Sequence, residues 1–149
     1  MIEISNLTTN LVEEEFLKKI AKIVLEGEGK SKSDLSIALI GPGKMRKLNK
    51  RYLGKNRATD ILAFGETSRY KVKDVRYKIR DLGEIVICLR EVKKNAKKFK
   101  SSFEKELTKV LIHGILHLVG YDHEKNEKEA QKMEEKEKYY LSKTLNSKP

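Results

Sequence analysis

Tryptophan is missing from this chain, phenylalanine occurs four times in 149 residues, and cysteine occurs once. With large aromatics so scarce, the core must be built mainly from isoleucine, leucine and valine. A lone cysteine excludes an internal disulfide, and Cys88 lies inside the apolar run EIVICL. It therefore reads as a buried, inert strand residue rather than a nucleophile. Long apolar runs are lacking too: no stretch reaches the length of a membrane span, and MIEISNLTTNLVEEEF has no basic segment leading into an apolar one. These absences argue against a disulfide scaffold and a membrane protein, and predict a soluble protein of the reducing cytoplasm. No repeat or low-complexity linker divides the chain, so residues 1–149 read as one domain, long enough to bury a real core.

Acidic residues are in deficit. Asp plus Glu number 22 against 33 Lys plus Arg, a formal charge of +11. Such an excess attracts a polyanion, nucleic acid first and an anionic membrane surface second. The plainer alternative is a soluble surface that is merely basic.

Short strands alternate with helical periods. Ile2 to Leu7 reads as a strand, and Leu11 to Leu25 as a helix with Phe16, Ile20, Ile23 and Val24 on one face, ended by Gly27 and Gly29. Ser33 to Ile40 reads as a second strand stopped by Gly41-Pro42-Gly43; a helix through KMRKLNKRYLG follows, closed by Gly54. Ile61 to Phe64 and Gly83 to Leu89 supply two further strands. The pattern predicts an α+β domain: a mixed sheet of about four strands packed with helices.

Between the last two strands lies SRYKVKDVRYKIR, Ser68 to Arg80. A two-residue turn at Lys73-Asp74 would make it a hairpin. One face would carry Tyr70, Val72, Val75, Tyr77 and Ile79, and the other Arg69, Lys71, Lys73, Arg76, Lys78 and Arg80. Like charges opposed across strands repel, and an anion lying on that face, a nucleic-acid backbone first, would relieve them. The alternative is that the lysines only guard an exposed edge against aggregation. KKNAKKFK (Lys93 to Lys100) reads as a solvated helix face. The alternating charges from Glu124 to Lys138, with Glu124–Lys128 and Glu134–Lys138 at helical spacing, predict a solvent-facing helix without chemistry.

Only three histidines occur, all within HGILHLVGYDH, His113 to His123. Ser101 and Glu104 fit a capping box that opens the preceding helix, whose continuation VLIHGILHLVG is apolar nearly all round. His113 and His117, four apart, project from one side of that helix. Gly120 suits a helix-ending residue, after which the chain can bring His123 to the same point. Three neutral imidazoles suit one zinc ion per chain, or another transition ion, with a fourth position left open for a reactant. Water there would have its pKa lowered to around 7. Asp122 reads as a turn residue before an outer hydrogen-bond acceptor for a ligand ring. Histidines satisfied by local hydrogen bonds are the alternative.

Metzincin zinc peptidases read H-E-x-x-H-x-x-G-x-x-H, with the glutamate as general base. Here Gly114 stands in the glutamate's place. Peptide hydrolysis thus lacks its proton carrier and falls to second place. A mid-helix glycine costs about 1 kcal/mol relative to alanine, so something should approach the backbone closely there.

HGILHLVGYDH, together with LNKRYLGKNRATDILAF (Leu48 to Phe64) and LGEIVIC (Leu82 to Cys88), resembles the signature of the YbeY family of bacterial metal-dependent endoribonucleases. The resemblance implies a metzincin-like α+β fold with a three-histidine site at a helix end. It implies His113, His117 and His123 as zinc ligands and single-stranded RNA as substrate. It also implies a role in maturing the 3′ end of small-subunit ribosomal RNA, ribosome quality control, and the small ribosomal subunit as a partner. The family usually carries an arginine where this chain has Leu53, a proline at Gly65 and an aspartate at Glu84. Arg57 is the candidate to replace that arginine. A non-enzymatic RNA-binding assembly factor, with metal only bracing the fold, is the remaining alternative.

Overall fold

A computed structural model describes residues 1–65 and 81–146. The hairpin expected over Ser68–Arg80, with Arg69, Lys71, Lys73, Arg76, Lys78 and Arg80, lies outside them.

Among the described residues, four strands and five helices follow one another as β1 (Ile2–Asn6), α1 (Glu14–Gly27), β2 (Asp34–Ile40), α2 (Pro42–Leu53), β3 (Ile61–Gly65), β4 (Asp81–Cys88), α3 (Leu89–Lys98), α4 (Phe103–Val119) and α5 (Glu127–Asn146). The sheet order is β1-β2-β4-β3. β1 and β4 run parallel to β2, and β3 is antiparallel to β4 at the edge. Parallel neighbours need a crossover, and α1 supplies it between β1 and β2. Its buried residues, Leu17, Ile20, Ala21, Val24 and Leu25, recur at helical spacing.

Alternation along β4 builds two cores, one on each face of the sheet. Ile85 and Ile87 join the larger one with α1, α3, α4 and α5. Val86 and Cys88 join the smaller one, where Met45 of α2 meets Ile40, Leu62 and Phe64. Cys88 is buried, as its apolar setting predicts. Among the described residues no helix is long and apolar enough to cross a membrane.

Gly114 faces the sheet. A Cβ there would stand 2.6 Å from Ile61 Cδ1 and 3.3 Å from Ile85 Cδ1, so the group that approaches its backbone is the sheet itself.

Several boundaries differ from the sequence reading. Gly41-Pro42-Gly43 does end β2 at Ile40, but Pro42 already begins α2, two residues before Lys44, where a residue without an N–H fits. α1 starts at Glu14 rather than Leu11 and takes in Gly27. The cap of α4 is Ser102, whose Oγ accepts the Lys105 N–H at 3.1 Å. Ser101 instead ends the preceding turn, its N–H reaching the Ala96 carbonyl of α3 at 2.8 Å. The largest correction is α5. Glu124 lies in the turn before it, so the Glu124–Lys128 spacing is not a helical one, although Glu134 and Lys138 do pair at 3.3 Å. Far from being solvent-facing all round, α5 buries Met133, Tyr140 and Thr144.

Candidate metal centre

α4 carries His113 and His117 half-buried on one side, one turn apart. Its end is fixed by backbone bonds: the Gly120 N–H reaches the Leu116 and His117 carbonyls, and the Tyr121 N–H reaches the Leu116 carbonyl at 3.0 Å. Gly120 has φ +121°, a conformation that glycine adopts at little cost. The chain then doubles back. Asp122 takes the turn role, its Oδ1 accepting the Glu124 N–H at 3.0 Å. His123 emerges exposed, and its ring packs edge-on against His113 with centroids 5.1 Å apart.

Two acidic residues that carry no motif organise this turn. Glu137 of α5 accepts a hydrogen bond from His113 Nδ1 at 3.1 Å. With the hydrogen on Nδ1 facing this carboxylate, Nε2 is the ring nitrogen left to meet a cation. The second is Glu28, just past α1. Tyr121 donates to its Oε1 at 2.8 Å, Tyr140 donates to its Oε2, and Lys136 lies 3.5 Å away. One carboxylate thus ties α1 to α5 and to the residue two before His123. Glu137 falls on the stripe Met133–Glu137–Tyr140–Thr144, otherwise the buried face of α5. An acidic residue on an inward stripe was the available signal, hidden by the many exposed charges around it.

Burial lowers the pKa of His117. The neighbouring His113 and His123 add to that effect, while Asp122 and a backbone contact at Tyr121 oppose it. The ring is therefore held toward its neutral, ligating form. Burial would raise the Glu28 carboxyl, but the Tyr140 and Tyr121 hydroxyls and Lys136 together outweigh it and leave its pKa below the ordinary 4.5. Burial and then Glu28 push Tyr121 up to about 12.

A carboxyl whose pKa is depressed by folding stabilises the fold above its unfolded value, and the contribution fades as pH falls through the folded one. Glu28→Gln is therefore expected to lower the melting temperature at pH 7. Acidification to about pH 3 should cost this variant less than it costs wild type. Equal acid sensitivity in thermal melts would show that the clamp does not depend on charge.

Among the described residues, no three His, Cys, Asp or Glu side chains converge as they stand into a set able to hold one ion. The donor chemistry nevertheless fits a zinc-type cation: a half-buried imidazole held toward its neutral form, a second imidazole with its Nδ1 anchored to a carboxylate, and an exposed third within ring contact of the second.

Arg57 is not brought to the histidines. It lines a cleft with Arg46, Arg90 and Lys94, and no histidine lines that cleft. Its carbonyl accepts the Asn49 Nδ2 hydrogen at 2.8 Å. Leu53 packs against the smaller core, a hydrophobic role that needs no charge.

A family model described as endoribonuclease YbeY matches residues 2–145. The endoribonuclease YbeY of Persephonella marina is 37% identical over 122 residues, spanning 82% of this chain and 77% of the relative. That of Thermodesulfovibrio yellowstonii is 38% identical over 136 residues, spanning 85% and 82%. The solution structure of TM1509 from Thermotoga maritima has a TM-score of 0.67 at 33% identity, covering 98% of this chain and 90% of that one.

Proposed function

Because the chain belongs to the YbeY endoribonuclease family, we propose that it cuts single-stranded RNA at one zinc ion held by His113, His117 and His123. The protein is a hydrolytic endoribonuclease of ribosomal RNA processing, and RNA is its substrate. Maturation of the 3′ end of small-subunit RNA, ribosome quality control, contact with the small subunit and a cytoplasmic setting complete the proposal.

The observation that carries the zinc reading is the 3.1 Å contact between Glu137 and His113. Metal-binding imidazoles commonly donate their other N–H to a carboxylate, which fixes the tautomer and makes the ring a stronger ligand. Burial keeps His117 toward the neutral form, and the Gly120–Tyr121 turn, tied down through Glu28, presents His123. A zinc ion so held supplies a Lewis acid for water and for a phosphate oxygen. The basic surface holds the RNA backbone, so affinity should fall steeply with salt as counterions are released.

The test is a nuclease assay on ribosomal RNA fragments beside an unstructured peptide, each with and without chelator. RNA should be cut, chelator should stop the reaction and added zinc restore it, and the peptide should survive. Cleavage indifferent to chelation, with contaminating nucleases excluded, would contradict the proposal. Glu137→Gln removes the anionic acceptor and leaves a side chain of similar shape. It is expected to weaken zinc binding by about 10–100-fold in competition with a chromophoric chelator. Unchanged affinity would uncouple Glu137 from the metal.

A further inference from the structure

The cleft that takes Arg57 lies off the opposite end of the sheet from the end of α4. Leu118 sits beside Gly65, which pairs with Gly83 near the start of β4. The cleft opens beyond Ile40 and Cys88, the paired ends of β2 and β4, and encloses about 610 Å³. Its wall carries Arg46, Arg57, Arg90 and Lys94, all exposed, against a single carboxylate, Glu91. Among the described residues, Lys94 has a carboxylate partner, Glu91 at 3.6 Å, whereas the three arginines have none within 4 Å. Three flat guanidinium forks around one hollow repel one another, and phosphate is the group whose charge and oxygen geometry answer them.

The fold adds to that field. Adjacent parallel strands β2 and β4 lead directly into α2 and α3, which pack on opposite faces of the sheet. The hollow is thus at a switch point, outside the carboxyl ends of the strands, where open sheets of this kind receive ligands. Both helices begin at its wall, at Pro42 and beside Arg90, and neither start is capped by a side chain. Uncapped N–H groups there are additional donors for an anion.

We propose that this cleft is a second RNA-binding site, holding backbone phosphates of the substrate away from the bond that is cut. The inference rests on the endoribonuclease reading above. A strand of RNA suits the shape better than a small free phosphate. The cleft shares Pro42 and Arg90 with a further hollow of about 480 Å³ that adds Lys93 and the Thr8–Asn10 segment, and together they make a trough. The five residue steps along β4 from Gly83 to Cys88 set this trough roughly 17 Å from the end where α4 terminates, so one single strand of several nucleotides can engage both.

Binding of a fluorescent single-stranded oligouridylate to full-length, metal-free protein, followed by anisotropy across salt concentrations, tests this without requiring cleavage. Arg46→Ala/Arg90→Ala is expected to weaken binding by about tenfold or more, and to flatten the log–log salt slope by about 1.4, the loss of two single-strand phosphate contacts. Arg57→Ala alone should flatten it by about 0.7. Lys132→Ala/Lys138→Ala on α5 removes the same charge elsewhere and should leave the slope nearly unchanged. A slope that stays at the wild-type value in the arginine variants, or falls equally in the α5 control, overturns the assignment. So does protection of the arginine cleft by orthophosphate or AMP while RNA affinity is untouched, which would mark a small-anion site. Wild-type protein that binds no single-stranded RNA would instead sink the endoribonuclease reading beneath it.

Discussion

His117→Ala is expected to abolish RNA cleavage while leaving RNA binding largely intact. The ring at 117 is half-buried and is driven toward neutrality by that burial. Removing it takes away a donor itself, so zinc affinity should fall by more than the about 10–100-fold that attends loss of an outer partner. The basic surface proposed to meet the RNA backbone stays in place, with a formal charge of +11 in the intact chain. Single-turnover cleavage and anisotropy on the same preparation separate the two quantities. Parallel loss of binding would mean that the ring shapes the RNA surface instead of the reaction centre, and residual cleavage at the wild-type rate would remove His117 from the mechanism.

Restoring the peptidase glutamate should cost the fold rather than create an activity. Gly114→Glu aims a side chain at Ile61 and Ile85, with even the first carbon 2.6 Å from one of them. Overpacking of a filled core costs about 1–3 kcal/mol, and a carboxylate forced among aliphatic groups adds a desolvation penalty of similar or larger size. Together these predict a loss of about 3 kcal/mol or more in denaturant unfolding, with no cleavage of unstructured peptides. A stable, peptide-cleaving variant would show that position 114 can face the metal after all. The glycine thus marks a helix pressed against its sheet, and position 114 is closed to a general base.

Elements with a strong period were legible in the chain. The alternation of β1, β2 and β4, the inward stripe of α1 and the apolar helix ending at Gly120 all follow from residues close together in sequence. Boundaries were less so, because competing caps stand side by side: Ser101 and Ser102 look alike until the Ser101 N–H is seen closing the previous helix. α5 was misread for a different reason. Its charges are so numerous that Met133 and Tyr140 do not stand out, and only docking onto α4 and α1 reveals which side is dry. The histidines announced themselves by spacing. Their supports did not, since Glu137 lies 24 residues from His113 and Glu28 lies 93 from Tyr121, and such partners are brought together only by the tertiary fold. Arg57 could be named from the sequence, but its destination among other cations depended on where two helices begin.

Zinc-edge X-ray absorption on protein loaded with one equivalent of zinc would examine the central claim most directly. Three nitrogen scatterers at about 2.0–2.1 Å with the multiple-scattering pattern of imidazole, and one exchangeable oxygen, are the predicted shell. A shell of oxygens alone, or four protein donors with no exchangeable position, would contradict it.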